Sequence, residues 1–228
     1  MTGWQLRQPV ASEMHVEHSD AACRTLNLAV AGVGLLLAAP LMCLIAILIK
    51  LTSRGPILYT QTRVGVDRRQ LLGPTNHRRT IDQGGKPFTI YKFRTMYTAD
   101  TRTAPQVWAT KNDPRVTAIG RTLRKYRLDE LPQFFNVLRG EMNVVGPRPE
   151  QPTIFAQLRE QVPGYQRRQL VRPGITGWAQ VNQKYDTSID DVRRKVSFDL
   201  EYVARRSLIE DLRILARTVP VVLNKGGW

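Results

Sequence analysis

The sequence predicts an α+β fold, predominantly helical with one small β-hairpin, in a monotopic membrane protein whose N-terminal helix is broken by a proline and re-enters the membrane. Three observations carry this. Leu28 to Ile49 is a run of 22 residues without a charge, with Pro40 near its middle. Two stretches, from Ile57 and from Pro87, alternate in the manner of strands. From Ile119 onward the apolar residues recur with helical spacing. A chain of 228 residues is enough for one substantial domain with an appended element. The expected divisions are a polar tail over 1–23, a membrane helix over 24–54 and a domain over 55–228 that ends in amphipathic helices.

The membrane helix is argued from energies. Twelve of its 22 uncharged residues are Leu, Ile or Val, together worth roughly −4 to −7 kcal/mol on insertion scales. That exceeds the cost of about 3 kcal/mol for one interior proline. The mixed charges before the run (Glu13, Glu17 and Asp20 among them) and the lack of a small-residue cleavage site after it argue against a signal peptide. The length suffices for a span, yet Arg24 flanks one end and Lys50, Arg54 and Arg63 the other, which favours the same side for both. A helix that enters, breaks at Ala39-Pro40 and returns satisfies both facts.

After this segment, "PILYTQTRVG" reads as a strand that stops at Gly65. Val66 to Lys86 reads as a loop, with Gly73-Pro74 and Gly84-Gly85 inside it. "PFTIYKFRTM" is the second strand of the hairpin, and Thr98 to Pro114 has no clear period. Pro132 fits a first helical turn, so a helix is expected to start at or near Asp129, with Leu131, Phe134, Phe135 and Leu138 as its apolar face and Gly140 as its stop. Residues 150–170 read as helix interrupted at Pro163-Gly164. "VRPGITGWAQV" reads as a turn and a short strand. Ser188 to Leu223 reads as two helices, the second with a stripe of Leu208, Leu212, Leu215, Val219 and Val222. That stripe suits packing on the core better than lying on a membrane surface.

Charge narrows the partners. Lys plus Arg number 34 and Asp plus Glu 19, leaving +15, which implies nucleic acid, an anionic membrane surface or a phosphorylated substrate. No nucleic-acid motif is visible and aromatics are only 7% of residues, so stacking platforms are scarce and nucleic acid is not an expected partner. A non-catalytic basic adaptor on anionic lipid is the alternative from another class. Cys23 and Cys43 flank the apolar run, too far apart on one helix for a disulfide. His15, His18 and His77 have no companions that would make a metal site.

The chemistry concentrates around "RLDELPQ", where Asp129 and Glu130 lie among Arg121, Arg124, Lys125, Arg127, Arg139 and Arg148. As an N-cap, Asp129 would stay ionised, favoured by the helix dipole and the arginines. An ionised carboxylate of this kind can attack phosphorus to form an acyl phosphate, or it can hold a divalent metal. Arg148 in "GPRP" and Arg172 in "RPG" sit in proline-restricted backbone, and Lys92 and Arg94 lie two apart on the second strand, hence on one face. Guanidinium groups pair bidentately with phosphate oxygens.

At these residues the chain resembles the bacterial sugar transferases, the monotopic polyprenyl-phosphate phosphoglycosyl transferases. The matching phrases are "GPILYTQTRVG", "FTIYKFRTM", "DPRVTAIGRTLRKYRLDELPQFFNVLRGEMNVVGPRPE" and "VRPGITGWAQVN", in family order. The resemblance implies that Asp129 attacks the β-phosphate of a UDP-sugar with Mg²⁺ assisting, releases UMP, and passes the phosphosugar to polyprenyl (undecaprenyl) phosphate. Glu130 would complete an Asp-Glu dyad. Lys92, Arg94, Thr95, Arg124 and Arg148 would bind phosphates, with Arg172 a weaker inclusion. It also implies a catalytic domain on the cytoplasmic face of the bacterial inner membrane, in contact with membrane lipid, at the first membrane step of exopolysaccharide or glycoconjugate assembly. The chain departs from the family in three places. Ala39-Pro40 stands where Ser-Pro is common, "VNQKYD" lacks a usual glycine, and the Val66 to Lys86 loop is longer than in the smallest members. The multi-helix domain of larger relatives is not among the matching phrases, so the chain reads as a near-minimal catalytic unit.

Overall fold

The computed structural model describes residues 20–67, 84–97, 113–183 and 188–223. The three histidines, most of the expected loop 66–86 and most of the aperiodic stretch 98–114 fall outside them.

Helix α1 (Asp20–Thr52) has 33 residues, about 50 Å at 1.5 Å per residue. It begins inside the stretch read as tail and passes through Pro40 as one helix, so the interruption expected at Ala39-Pro40 is not present. A proline removes one N–H, here the partner of the Leu36 carbonyl. In a helix this long, built from Leu, Ile and Ala, one lost bond does not end the run.

Both ends of α1 are fastened to the rest of the chain. At the first, Arg24 NH2 donates to the Val137 carbonyl at 2.7 Å and NH1 to that of Met142 at 3.2 Å. Asn27 Oδ1 there accepts from the Val144 and Val145 amides. At the other, Arg94 NH2 donates to the Ser53 carbonyl and hydroxyl, both at 2.8 Å, and NH1 to the Arg54 carbonyl. Cys23, Asn27 and Ala31 are buried near one end and Ile45 and Ile49 near the other, with no buried residue between Ala31 and Ile45. Leu36 and Leu37 are 75% and 74% exposed. The two cysteines lie on this one helix and form no disulfide, Cys23 buried and Cys43 exposed.

Strands β1 (Leu58–Val64) and β2 (Pro87–Phe93) pair antiparallel from Leu58↔Phe93 to Val64↔Pro87, as their alternation predicts. Phe88 and Ile90 enter a core with Ala31, Val137, Met142 and Val144. Helix α2 (Ala118–Lys125) is capped by Thr117, whose hydroxyl accepts from the Gly120 amide. A 3₁₀ turn, Leu128–Glu130, precedes α3 (Gln133–Leu138), whose N-cap is Pro132. The expected apolar face of α3 is only half right. Phe134 packs on the core, but Phe135 and Leu138 are 47% and 43% exposed while Gln133, Asn136 and Val137 are buried. Asn136 turns inward because its amide meets the Thr89 carbonyl at 2.6 Å and the Glu141 carboxylate at 2.7 Å. Gly140 ends the helix with φ of 81°.

A second sheet joins the short strand expected in "VRPGITGWAQV" to one the sequence did not predict. Strands β3 (Asn143–Val145) and β4 (Gly174–Thr176) pair in parallel, three residues each, too short to leave a period. Glycines permit it, since a Cβ on Gly174 would stand 2.1 Å from the Gly146 amide nitrogen and one on Gly146 would stand 2.4 Å from the Arg172 carbonyl oxygen. Gly174→Ala is expected to lower stability by about 1–3 kcal/mol, read as the shift in a thermal or denaturant midpoint.

Helix α4 (Pro152–Gln161) and a 3₁₀ segment (Tyr165–Leu170) follow, separated at Gly164 as expected. "WAQVN" forms a short helix, α5 (Trp178–Asn182), where continued strand was expected. The chain closes with α6 (Ile189–Arg205) and α7 (Leu208–Leu223). Helix α7 is rotated from its expected packing. Asp211 and Ile214 are buried, whereas Leu208, Leu212 and Val219 are exposed. The reason is polar: Tyr202 O–H donates to Asp211 Oδ1 at 2.7 Å, which holds that face inward. Arg217 of the same helix lies over the Trp178 ring at 4.9 Å.

Candidate active site

The Asp-Glu pair does not cap a helix. It lies in the isolated 3₁₀ turn, entered from Arg127 with φ 54° and ψ 22°, and no side chain caps that turn. Among the described residues Arg127 is the only non-glycine with positive φ, a backbone cost of about 1–3 kcal/mol that clusters at functional sites. Both carboxylates are buried, Asp129 at 9% exposure and Glu130 at 6%.

Their surroundings differ sharply. Glu130 Oε1 accepts from Lys92 Nζ and from Arg148 NH2, each at 2.7 Å, and Arg127 NH1 lies 3.8 Å from Oε2. Asp129 takes no hydrogen bond or ion pair among the described residues. Burial would raise both acids. For Glu130 the charges and hydrogen bonds of Arg148 and Lys92 outweigh burial and hold it well below the usual carboxylate range. For Asp129 burial is joined by repulsion from Glu130, and the more distant Lys92, Arg148 and Arg124 do not compensate, so its pKa rises to about 6. The helix N-terminus expected to favour the Asp129 carboxylate is therefore absent, and the shift runs upward where a downward one was expected. The arginines serve Glu130 first, and Asp129 is the acid left free. The Arg148 guanidinium is pushed up by the Glu130 charge, and burial pulls Lys92 down against the pull of Glu130.

Lys92 arrives from β2, and Arg148 from the segment after β3. The backbone around Arg148 is held from three directions. Arg168 NH2 donates to the Arg148 carbonyl at 3.0 Å, Arg63 NH1 to that of Pro149 at 3.1 Å, and the Val64 amide to that of Glu150 at 2.9 Å. Arg168 is itself fully buried, with Nε on Asp199 at 2.7 Å and NH1 on the Tyr165 hydroxyl at 2.8 Å. Sequence reasoning missed Arg63 and Arg168 as supports, while Arg127, one of the arginines expected around the acid pair, does stand beside Glu130. Nothing in "YQRRQL" says which arginine faces inward.

Thr95 and Arg124 are joined, Arg124 Nε donating to Thr95 Oγ1 at 2.9 Å, so the threonine orients a cation whose charge reaches Asp129. Two candidates stand apart. Arg94 follows the end of β2, and its guanidinium goes to the end of α1. Arg172 Nε donates to the Gly140 carbonyl at 3.1 Å, a region it shares with Arg24. Pro40 lies in the exposed middle of α1.

A metal ion can be tested against this donor set. Among the described residues no three His, Cys, Asp or Glu side chains converge, and Glu130 is already engaged. That leaves Asp129 as one carboxylate with free oxygens. Such a site suits Mg²⁺, which is commonly held by one or two carboxylates and completed by substrate phosphates and water, better than a metal that needs a protein cage.

A model of the bacterial sugar transferase family matches residues 18–225. The chain is 41% identical over 204 residues to the UDP-N-acetylgalactosamine-undecaprenyl-phosphate N-acetylgalactosaminephosphotransferase of Aeromonas hydrophila, covering 90% of this chain and 44% of that protein. It is 41% identical over 199 residues to the UDP-glucose:undecaprenyl-phosphate glucose-1-phosphate transferase of Escherichia coli (strain K12), covering 86% and 39%. To the exopolysaccharide production protein PSS of Rhizobium leguminosarum bv. phaseoli it is 38% identical over 198 residues, covering 85% and 90%. The chain thus spans less than half the length of the first two.

Proposed function

Because the chain belongs to the bacterial sugar transferase family, we propose that it moves a sugar-1-phosphate from a UDP-sugar to polyprenyl phosphate and forms a polyprenyl-diphosphate-sugar. In the first half-reaction an Asp129 carboxylate oxygen attacks the β-phosphorus. The bridging bond to the α-phosphate breaks, UMP leaves, and the phosphosugar stays on Asp129 as an acyl phosphate. In the second, a phosphate oxygen of the lipid attacks that same phosphorus and restores the carboxylate. The division of labour within the Asp-Glu pair supports this reading above all: one acid is locked by two cations, and the other is buried, unpartnered and close to them.

Chemical reasons follow from the geometry. A carboxylate with a pKa near 6 is ionised at neutral pH, and it is more basic, hence a better nucleophile, than one held far lower. Glu130 fixes Lys92 and Arg148 without exhausting them, since an ammonium has three N–H donors and a guanidinium five. Lys92, Arg124, Arg127 and Arg148 beside two carboxylates leave a surplus of two positive charges, which matches the diphosphate of a nucleotide sugar. Mg²⁺, held by Asp129 and the diphosphate, would neutralise charge on the departing UMP.

The test uses purified protein, Mg²⁺, polyprenyl phosphate and a panel of UDP-sugars, with UMP release as the readout. Release is expected for at least one sugar, and its absence with every sugar would reject the reading. Below about pH 6 the rate of the first half-reaction should fall about tenfold per unit, because Asp129 must lose its proton to attack. A profile flat down to pH 4 would mean that another group is the nucleophile.

The placement in the membrane is part of the same proposal. Both ends of α1 are bonded to one domain, and no residue between Ala31 and Ile45 is buried. We place that middle against the lipid and both ends at the cytoplasmic face of the inner membrane; because the helix is unbroken at Pro40, it lies along the leaflet instead of entering and returning. Single cysteines at Thr25 and Thr52 should then react with an impermeant thiol reagent from one side only, and from the same side. Labelling from opposite sides would establish a span.

A further inference from the structure

Beside Glu130 lies a cavity of about 240 Å³. Pockets for whole small molecules measure about 300–1,000 Å³, so this one suits a segment of something larger. Its walls are apolar, from Leu128, Leu131, Phe134, Val181, Val221 and Val222. Most of the polar groups that reach it are already engaged. Thr176 and Thr218 share a hydrogen bond between their hydroxyls at 2.8 Å, and Gln180 Nε2 donates to the Ile175 carbonyl at 2.9 Å, which leaves the buried Gln180 Oε1 as a single acceptor without a partner among the described residues. A uracil or a sugar entering here would give up hydrogen bonds to water and find few in return. A hydrocarbon loses none.

Two of the lining residues connect the cavity to its surroundings. Arg127 stands next to Glu130, in its left-handed backbone, with Nε buried and without an acceptor among the described residues. Phe134 presses on the middle of the apolar helix, so closely that a Cβ on Gly34 would stand 3.0 Å from its ring. A cation and an apolar helix bordering one cavity suit an amphiphile with an anionic head. We propose that this cavity receives the first isoprene units of the acceptor lipid, and that Arg127 holds its phosphate within reach of Asp129. This rests on the phosphoglycosyl-transfer reading and adds to it a place and a recognition element for the second substrate.

The test separates the cavity from the reaction. Full-length Asp129→Asn protein in lipid nanodiscs is irradiated with a prenyl phosphate that carries a diazirine in its first isoprene unit. Labelling is expected on the segments around Leu128–Phe134 and Val221–Val222, and unlabelled polyprenyl phosphate should suppress it while UDP-sugar does not. In the active protein, Val222→Trp should raise the KM for the lipid about tenfold more than the KM for the UDP-sugar, the scale of a few misplaced methylenes. Val222→Ala, which cannot clash, should shift the ratio in the same direction. Competed labelling confined to other segments, α1 included, overturns the cavity and leaves the transfer reading standing. Suppression by UDP-sugar assigns the cavity to the donor and also overturns the proposal. If no labelling is competed by prenyl phosphate, the lipid acceptor itself is refuted.

Discussion

Replacing Asp129 with Asn is expected to abolish UMP release, by on the order of 10³-fold or more, while leaving the folded protein at least as stable as the parent at neutral pH. The two effects have one cause. Asp129 is buried beside Glu130 without a partner of its own, and its pKa lies at about 6 against an ordinary 3.8. Between those values the folded protein holds the proton more tightly than the unfolded chain does, so stability falls as pH rises through that window and remains lower above it. Asn keeps the shape and carries no charge, which should recover roughly 1–3 kcal/mol at pH 7. Equilibrium unfolding at pH 4 and pH 7 checks the sign, since the gain should be present at pH 7 and largely gone at pH 4. An inactive variant that is also markedly less stable would mean that Asp129 has structural partners absent from this picture.

Glu130→Gln should do the reverse. Removing that charge leaves Lys92 and Arg148 facing one another in a buried site, a loss of roughly 3–5 kcal/mol for breaking such a pair. It also removes the repulsion that raises Asp129, so any remaining activity should have its acid limb below pH 6. Because Glu130 sits well below the usual carboxylate range, its stabilisation is present above the unfolded pKa and disappears only in strong acid. Thermal melts together with a pH profile of UMP release distinguish this from a simple second nucleophile, which would cost activity without the large drop in stability.

Much of the architecture could be read from local pattern. The hairpin was visible because β1 and β2 alternate over seven residues each, and α6 and α7 because their periods run long. What escaped was set by contacts distant in sequence. Strand β3 is too short to show a period, and its parallel pairing with β4 joins segments about 30 residues apart. Helix α7 turned away from its leucine stripe because Asp211 found Tyr202. Lys92 and Arg94 parted because β2 ends at Phe93, and beyond it the rule that alternate residues share a face no longer holds. At the candidate site the acid pair was evident from "RLDELPQ", but its division of labour was not. That depends on Arg148, 18 residues beyond Glu130, and Lys92, 38 before it, choosing Glu130 over its neighbour.

One strand carries both Lys92, which meets Glu130, and, just past its end, Arg94, which grips the end of the membrane helix. On the proposed reading, the depth at which that helix rests would fix the height of the reacting carboxylate above the leaflet. A lipid acceptor would then need no lifting toward the protein, nor the protein any tilt toward the lipid. Encounter would become a two-dimensional search at constant altitude, its rate set by lateral diffusion and by how closely the local bilayer matches the helix.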